Sequence, residues 1–396
     1  MSWPDDLYSD GPKRMLAIDG GGCRGAVAIA FIQQLEKTLR ERHGKPNLVL
    51  SDYFDLIGGT SVGAIFAAGL ALGRSADEVA ETFKVMGPKL FRQYMPRLPV
   101  IQARFDPKRL EQLLGEEFGE ATLETAPWKT GFAAIAKRVD TGSSWVLTNC
   151  PKSKYWFGDP QEIADQIDPA LRKTIPNKDY RLTKVVQSSA AAPFFFDMVP
   201  IEVTRGESGV FFDGAMTPHG NPVLQLAMVA LNPAYGLGWT GGKDELLVVS
   251  VGTGAPRPKK PHWVKRPIVA IWKALHALVS MAYDTAELSV VTMQWLGHCP
   301  SPWYINSEIG DQRDARPKGF PPLWTFLRYD APLEMRWLKT HLDRDFSDKQ
   351  MLELERMDDD RQIPTLYDIG QAAARLQIKP EHFEGFSPRP EPAAAA

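Results

Sequence analysis

The chain has 396 residues, of which 44% are hydrophobic and 24% charged, and its net charge is −2. This composition is typical of a globular protein with a large core, and the length allows one large α/β domain or two domains. A net charge so close to zero provides no basic field for phosphates, so we expect no nucleic-acid partner.

Cysteine content and the N-terminal residues bear on the compartment. Cys23, Cys150 and Cys299 are too few and too scattered for a disulfide framework or a zinc site. The opening MSWPDDLYSDGPKRM carries acids and prolines where a signal peptide needs a basic start and an apolar run. We therefore expect a cytoplasmic protein in a reducing compartment.

The first elements alternate between strand and helix patterns. Met15–Ile18 is a short apolar run that predicts a buried strand, and the spacing from Ala26 to Leu39 predicts an amphipathic helix. Asp55–Ile57 is a second strand candidate. The apolar helix predicted over Val62–Leu72 is well short of the ~20 residues that span a bilayer, so it is expected in the core.

The alternation continues along the chain. Ser75 and Glu78 form a capping box for the next helix, and Asp106-Pro107 begins another. Three more apolar runs predict strands, and they are Phe132–Ala136, Trp145–Asn149 and Leu246–Val251. Strands alternating with helices predict an α/β fold with a layered sheet.

A proline-rich basic stretch, PRPKKP, follows the last of these strands, but a helical pattern resumes between Ile268 and Val279. We therefore predict one core with appended segments. The divisions are an N-terminal tail (1–13), a catalytic core (14–255), a mainly helical C-terminal extension packed on it (256–386) and a disordered tail (387–396).

The glycine cluster DGGGCRG joins the first strand to the first helix. Its Gly20, Gly22 and Gly25 fit G-x-G-x-x-G, and Asp52 could serve as the ribose acid of a dinucleotide site. Backbone N–H groups at a helix N-terminus bind a transition-state oxyanion as readily as a phosphate. A tight turn without a ligand is the third interpretation.

GTSVG, which spans Gly59 to Gly63, fits the nucleophile elbow G-x-S-x-G with Ser61 at its centre. The pentapeptide alone favours a serine with no catalytic part. Its place after a strand, before a buried helix and downstream of the glycine loop favours acyl transfer, which needs a nucleophile and an oxyanion hole.

A base for this serine is harder to find. An α/β-hydrolase places an acid and then a histidine after the serine. The seven histidines stand in no motif, and they are His43, His219, His262, His276, His298, His341 and His382. In FFDGA, two apolar residues deliver Asp213 to a glycine turn, which favours it as the base, although an Asp-Gly hairpin turn gives the same pattern.

Taken in this order, DGGGCRG, GTSVG and DGA resemble the motifs of patatin-like phospholipases. Three other stretches are similar to the family as well: SSAAAPFFF (Ser188–Phe196), SVGTG (Ser250–Gly254) and the segment from Arg356 to Phe383. The loop after the acid departs from the family pattern, because His219-Gly220 stand where asparagines are expected.

This resemblance implies a patatin-like three-layer α/β sandwich around a mostly parallel sheet, and a Ser61–Asp213 dyad that cleaves acyl esters of glycerophospholipids and lysophospholipids. It implies an acyl-enzyme, no metal and no cofactor. The oxyanion hole would be formed by Gly20, Gly21, Gly22 and Cys23. Support for the motifs would come from Arg24, Gly25, Gly59, Gly63 and Gly214.

Two alternatives stay open, a histidine-dependent α/β-hydrolase for soluble esters and a nucleotide- or phosphate-binding module that uses residues 20–25. An aspartate base predicts activity at mildly acidic pH, where a histidine would be protonated. As partners we expect a phospholipid membrane surface, reached peripherally through the basic, tryptophan-containing segment Arg257–Leu275. That segment would otherwise be a solvated loop before a core helix. A small-molecule activator and a homo-oligomer are both compatible with the sequence.

Overall fold

The structure is a computed structural model that describes residues 3–91, 105–160, 174–193, 195–254, 270–306, 308–313 and 315–389. For residues 107 and 270–279 the description is limited to the backbone. The proline-rich stretch 256–261 and the start of the predicted helix at Ile268 lie outside the described residues.

Eight strands form a single sheet, which is mostly parallel as expected. The strands are β1 (Lys13–Ile18), β2 (Leu56–Thr60), β3 (Gly131–Arg138), β4 (Ser144–Thr148), β5 (Val199–Thr204), β6 (Glu207–Asp213), β7 (Leu246–Val251) and β8 (Thr325–Tyr329). Their order is β5-β6-β3-β2-β1-β7-β8. β2 and β6 pair one after the other along the same edge of β3, and β4 pairs with the opposite edge. The five neighbouring strands β3, β2, β1, β7 and β8 are parallel, whereas β4, β5 and β6 pair antiparallel with their neighbours.

Helices cover both faces of this sheet. They are α1 (Gly25–His43), α2 (Leu50–Tyr53), α3 (Val62–Ala71), α4 (Ala76–Phe91), α5 (Pro107–Phe118), α6 (Leu182–Ala190), α7 (Val223–Leu231), α8 (Ala270–Leu296), α9 (Met335–Leu342), α10 (Asp348–Leu354) and α11 (Ile363–Gln377). Among the described residues, no helix is both long and apolar enough to cross a membrane.

Alternate residues of the central strands face two separate cores. In β1, Leu16 and Ile18 pack with α1, α3 and α11 on one face, while Met15 and Ala17 pack with α7 and the end of α8 on the other. A strand buried on both faces reads as a continuous apolar run, as β1 and β7 do. The three-layer α/β sandwich is therefore confirmed.

Most of the predicted elements are present, and one strand is displaced. The second strand begins at Leu56 rather than Asp55 and extends through the elbow glycines to Thr60. Asp55 lies directly before it, and its carboxylate accepts hydrogen bonds from the backbone N–H and the guanidinium of Arg14, at 2.8 and 2.9 Å. The capping box is confirmed, since Ser75 N–H donates to Glu78 Oε2 and Glu78 N–H donates to Ser75 Oγ.

The C-terminal segment contributes a strand to the sheet as well as helices. β8 pairs in parallel with β7 and is buried along its whole length. α11 packs along α1, where a Cβ at Gly370 would come within 2.8 Å of the Val27 carbonyl oxygen. Residues at both ends of the chain also belong to the folded body: Leu7 is buried, and Arg389 donates to the Ser51 carbonyl.

Candidate active site

Ser61 and Asp213 are brought together by one edge of β3. β2 and β4 both pair with Ala133–Ile135, so they lie on opposite edges of β3, and β6 takes the edge that β2 leaves free after Ile135. β2 runs parallel to β3 and β6 runs antiparallel, so their C-terminal ends meet. The last residue of β2, Thr60, pairs with Ile135, and the last of β6, Asp213, pairs with the next residue.

Ser61 occupies a strained turn between β2 and α3. Its backbone angles are φ 57° and ψ −128°, a conformation that costs a non-glycine residue about 1–3 kcal/mol. Its flanking glycines allow the close approach that the turn requires. A Cβ on Gly59 would lie 2.2 Å from the Gly63 carbonyl, and one on Gly63 would lie 2.3 Å from the Ile18 carbonyl oxygen. This is the geometry of a nucleophile elbow, with Ser61 9% exposed.

The Ser61 side chain interacts with the Asp213 carboxylate and lowers the pKa of that carboxylate. That carboxylate is 1% exposed and also accepts from the Ala215 N–H at 2.8 Å. Asp213 therefore caps a short 3₁₀ turn, Gly214–Met216, and no hairpin follows it. A Cβ on Gly214 would lie 2.2 Å from the Ile135 carbonyl oxygen, so the residue after the acid has to be small.

Burial raises the pKa of Asp213 to about 7, and the interactions with Ser61 and Ala215 oppose that rise. A general base works best with a pKa close to the operating pH, so the carboxylate is suited to accept a proton near neutrality. The value corrects the expectation of activity at mildly acidic pH, because a base with this pKa is protonated there just as a histidine would be.

Ser189 supports the elbow from α6, and its part was not predicted from the sequence. Its hydroxyl accepts from the Ser61 N–H at 3.0 Å and donates to the Ile135 carbonyl oxygen at 2.6 Å. This hydroxyl fills the junction between the ends of β2 and β6, where the β3 carbonyl would otherwise lack a partner. SSAAAPFFF was recognised as a family-like stretch, but spacing alone gives no contact between residues 128 positions apart.

The glycine loop lies against Ser61, and two of its four N–H groups are already bonded. Gly20 donates to the Gly220 carbonyl at 3.0 Å, and Cys23 donates to the Met357 carbonyl at 2.9 Å. Among the described residues, no acceptor is bonded to the N–H of Gly21 or Gly22. Of the four predicted donors, Gly21 and Gly22 are therefore the two whose N–H groups have no acceptor among the described residues.

Other predicted supporting residues lie around this loop. Arg24 is buried and its Nη1 donates to the Gly254 carbonyl at 3.4 Å, which places it behind the loop. Gly25 faces Val62 of α3, where a Cβ would meet its methyl groups at 3.0 and 3.1 Å. Thr60 Oγ1 donates to the His219 carbonyl at 2.6 Å, so the divergent loop after the acid contacts the site through its backbone.

The described histidines make no hydrogen bond to the dyad. In the described part of the chain, no hydrogen bond joins a histidine to Ser61 or Asp213. The half-buried His219 has a pKa lowered by desolvation, His382 bonds Tyr329 at 2.8 Å, and His341 stacks on Trp337. His262 and the side chain of His276 lie outside the described residues.

The dinucleotide interpretation fails on geometry. The glycine loop follows the C-terminal end of β1, beside the C-terminal end of the parallel β2. Asp52 lies in α2, before the N-terminal end of β2, and its carboxylate accepts from the Val49 N–H at 3.0 Å. β2 has five residues and spans about 17 Å, so Asp52 cannot reach a ribose at the loop.

A parallel α/β sandwich with a serine on a strand-to-helix elbow and a buried carboxylate beside it defines a class, the serine hydrolases. Residues 16–227, more than half of the chain, match the family model for patatin-like phospholipase. Patatin-17 from Solanum cardiophyllum is 25% identical over 299 residues, which cover 71% of each chain. Patatin-like protein 1 from Arabidopsis thaliana is 28% identical over 309 residues, 71% of this chain and 67% of its own.

A shorter similarity links the chain to a bacterial protein. The cGAMP-activated phospholipase from Vibrio cholerae serotype O1 is 37% identical over 127 residues, 30% of this chain and 36% of its own. Together with the family model, these similarities settle the assignment. The chain belongs to the patatin-like phospholipase family and is a lipid acyl hydrolase.

Proposed function

We propose that Ser61 and Asp213 are the catalytic dyad of a phospholipase A or lysophospholipase that acts on glycerophospholipids. The observation that carries this proposal is the buried Asp213 carboxylate at the end of β6, which interacts with the Ser61 side chain and has a pKa of about 7. At neutral pH a group with this pKa is deprotonated in about half of the molecules and is still basic enough to accept a proton.

The reaction follows from this pairing in two steps. Ser61 Oγ attacks the ester carbonyl carbon as its proton passes to Asp213, and collapse of the tetrahedral intermediate releases the alcohol, which takes that proton. The acyl group is then bound to Ser61. A water molecule gives a proton to Asp213 as it attacks the acyl carbon. Collapse of this second intermediate releases the fatty acid, and Asp213 returns the proton to Ser61 Oγ.

We place the oxyanion on the N–H groups of Gly21 and Gly22. Gly22 has a φ of +56°, and the chain on either side of this pair is fixed by the bonds of Gly20 and Cys23. Donors that are oriented before the reaction stabilise the developing negative charge without reorganisation. Loss of one such donor typically costs about 10²–10³ in kcat.

The setting of the enzyme is proposed from its substrate class and from one basic segment. A lipid substrate requires contact with a phospholipid surface, and the basic segment Arg257–Leu275, most of which lies outside the described residues, suits peripheral binding from the cytoplasm. The name of the Vibrio cholerae relative supports a small-molecule activator. The proposal also includes a homo-oligomer, and a chain divided into a catalytic core (14–255) and a C-terminal extension (256–386).

Lipid-product analysis tests the proposed reaction. Purified protein would be incubated with mixed phospholipid vesicles, and free fatty acid and lysophospholipid would be measured by mass spectrometry. We expect both products from the wild type, none from Ser61→Ala, and normal amounts from Ser208→Ala, an exposed serine on β6. Release of fatty acid by Ser61→Ala at about a tenth of the wild-type rate or more would remove Ser61 from the mechanism.

A further inference from the structure

A buried ion cluster lies behind the glycine loop, centred on Arg328 near the end of β8. Arg328 Nη2 contacts Asp19 Oδ2 at 2.7 Å and Asp330 Oδ2 at 2.9 Å, and Nη1 donates to Ser250 Oγ at 2.7 Å. The arginine is 5% exposed and Asp330 is 2% exposed. None of these contacts involves Ser61 or Asp213, and the cluster lies beyond residue 227, where the family match ends, except at Asp19.

Stability alone is a weak reason for such a cluster. Desolvation of buried charges costs several kcal/mol per ion, and well-packed apolar side chains of similar volume often do as well or better. Asp19 Oδ1 and Arg328 Nε lie buried without a hydrogen-bond partner among the described residues, which adds to the cost. A cluster retained at this cost has to serve the geometry of its surroundings.

Those surroundings are the two turns that frame the oxyanion site. Asp19 is the residue between β1 and Gly20, and its N–H donates to the Val251 carbonyl at 3.0 Å. Asp330 Oδ1 accepts from the Gly254 N–H at 2.7 Å, in the turn after β7. The same turn holds the glycine loop directly, because Thr253 Oγ1 donates to the Gly20 carbonyl at 2.7 Å. Arg328 thus connects the start of the glycine loop to the turn that braces it.

We propose that Arg328 is a positioning residue for the hydrolytic reaction: by binding Asp19 it fixes the start of the glycine loop, so that the N–H groups of Gly21 and Gly22 point at the oxyanion. This role rests on the proposed function. Burial raises the pKa of Asp19 to about 6 even beside the guanidinium. Without Arg328 the Asp19 carboxyl would take up a proton, and no ion pair would fix the start of the glycine loop.

Arg328→Met, which removes the charge and keeps the volume, tests the role against a matched control. Arg14→Met makes the same change in a second buried arginine of the sheet, paired with Asp55 at 2.8 Å. Arg14 lies at the other end of β1, five residues and about 17 Å from Asp19. Both variants should unfold at lower urea concentration than the wild type, so the control accounts for the loss of a buried ion pair.

Catalysis should separate the two variants on a short soluble ester. Arg328→Met should lower kcat about ten- to a hundredfold with KM changed less than about twofold, because oxyanion donors act in the transition state. The rate of labelling by a fluorophosphonate should fall in parallel. Arg328→Lys keeps the positive charge but has fewer N–H donors, so it should recover part of kcat. Arg14→Met should keep the wild-type kcat.

Each outcome decides between a positioning role and a structural one. If Arg328→Met and Arg14→Met have the same kcat per folded molecule, Arg328 contributes only stability and the proposal is wrong. Should Arg328→Met fail to fold, Arg328→Lys and Asp19→Asn carry the same comparison, and wild-type kcat in both overturns it. A wild type that neither hydrolyses esters nor reacts with the probe refutes the proposed function itself, and the positioning role with it.

Discussion

Asparagine at position 213 should abolish hydrolysis and yet stabilise the folded protein at alkaline pH. Burial raises the pKa of Asp213 from 3.8 to about 7. At about 1.4 kcal/mol per pH unit, holding this carboxylate ionised costs the folded state about 4 kcal/mol. Asparagine removes the charge and can still accept from the Ala215 N–H, but an amide N–H without a partner costs about 1–3 kcal/mol. The expected net gain in the free energy of unfolding is about 1–3 kcal/mol.

The sign of this effect depends on pH. Below pH 3.8 the carboxyl is protonated in both folded and unfolded chains, so it adds no cost. The wild type loses stability relative to the variant as pH rises from there to about 7, and above that value the difference is constant. Urea unfolding of both proteins at pH 5 and pH 8 measures it.

Asp359 provides the control of opposite sign. It is buried, and the Arg361 guanidinium at 2.7 Å lowers its pKa, so Asp359→Asn should reduce the free energy of unfolding at pH 8. The reasoning about Asp213 is refuted if Asp213→Asn is less stable than the wild type by the same amount at both pH values. That result would mean that ionisation of the Asp213 carboxylate does not destabilise the folded protein.

Three other outcomes are expected. The rate of hydrolysis of a soluble ester should rise with pH through about 7, because Asp213 has to lose its proton, and the same profile in His219→Gln would show that the His219 imidazole is not responsible. Gly22→Ala should lose at least about tenfold in kcat and about 1–3 kcal/mol of stability, because φ is +56° there and a Cβ would lie 2.3 Å from a backbone carbonyl oxygen. An unchanged rate would show that the glycine loop is not the oxyanion hole. Glutamate at Lys259 and Lys260 should weaken sedimentation with anionic vesicles and spare the soluble ester, and equal sedimentation would contradict a membrane role for that segment.

The fold could be predicted where local pattern decides structure. β1 contains the apolar run Met15–Ile18, β7 is almost entirely apolar, and the Ser75–Glu78 capping box specifies its own helix start, so these elements follow from a few neighbouring residues. β8 was not predicted because its sequence, TFLRY, carries an arginine near the end of a short strand. That arginine is buried beside two carboxylates, and one of them, Asp19, comes from a distant part of the chain.

The candidate site shows the same limit. Ser61 and Asp213 were found because each lies in a short motif with a strained or tight turn. The choice among the four loop N–H groups was not available from sequence, because it depends on the carbonyls of Gly220 and Met357, which lie about 200 and more than 300 residues further along the chain. The pKa of Asp213 was underestimated for a related reason, since the depth of burial depends on the whole fold.

The most direct test of the dyad is the site and rate of covalent labelling. Wild type, Ser61→Ala and Asp213→Asn would be treated with a fluorophosphonate at pH 8, and the modified peptide identified by mass spectrometry. The account predicts a single adduct on Ser61 in the wild type, no adduct in Ser61→Ala, and labelling slowed by at least a hundredfold in the folded Asp213→Asn protein. An adduct on another residue, or wild-type labelling of Asp213→Asn, would contradict the Ser61–Asp213 mechanism.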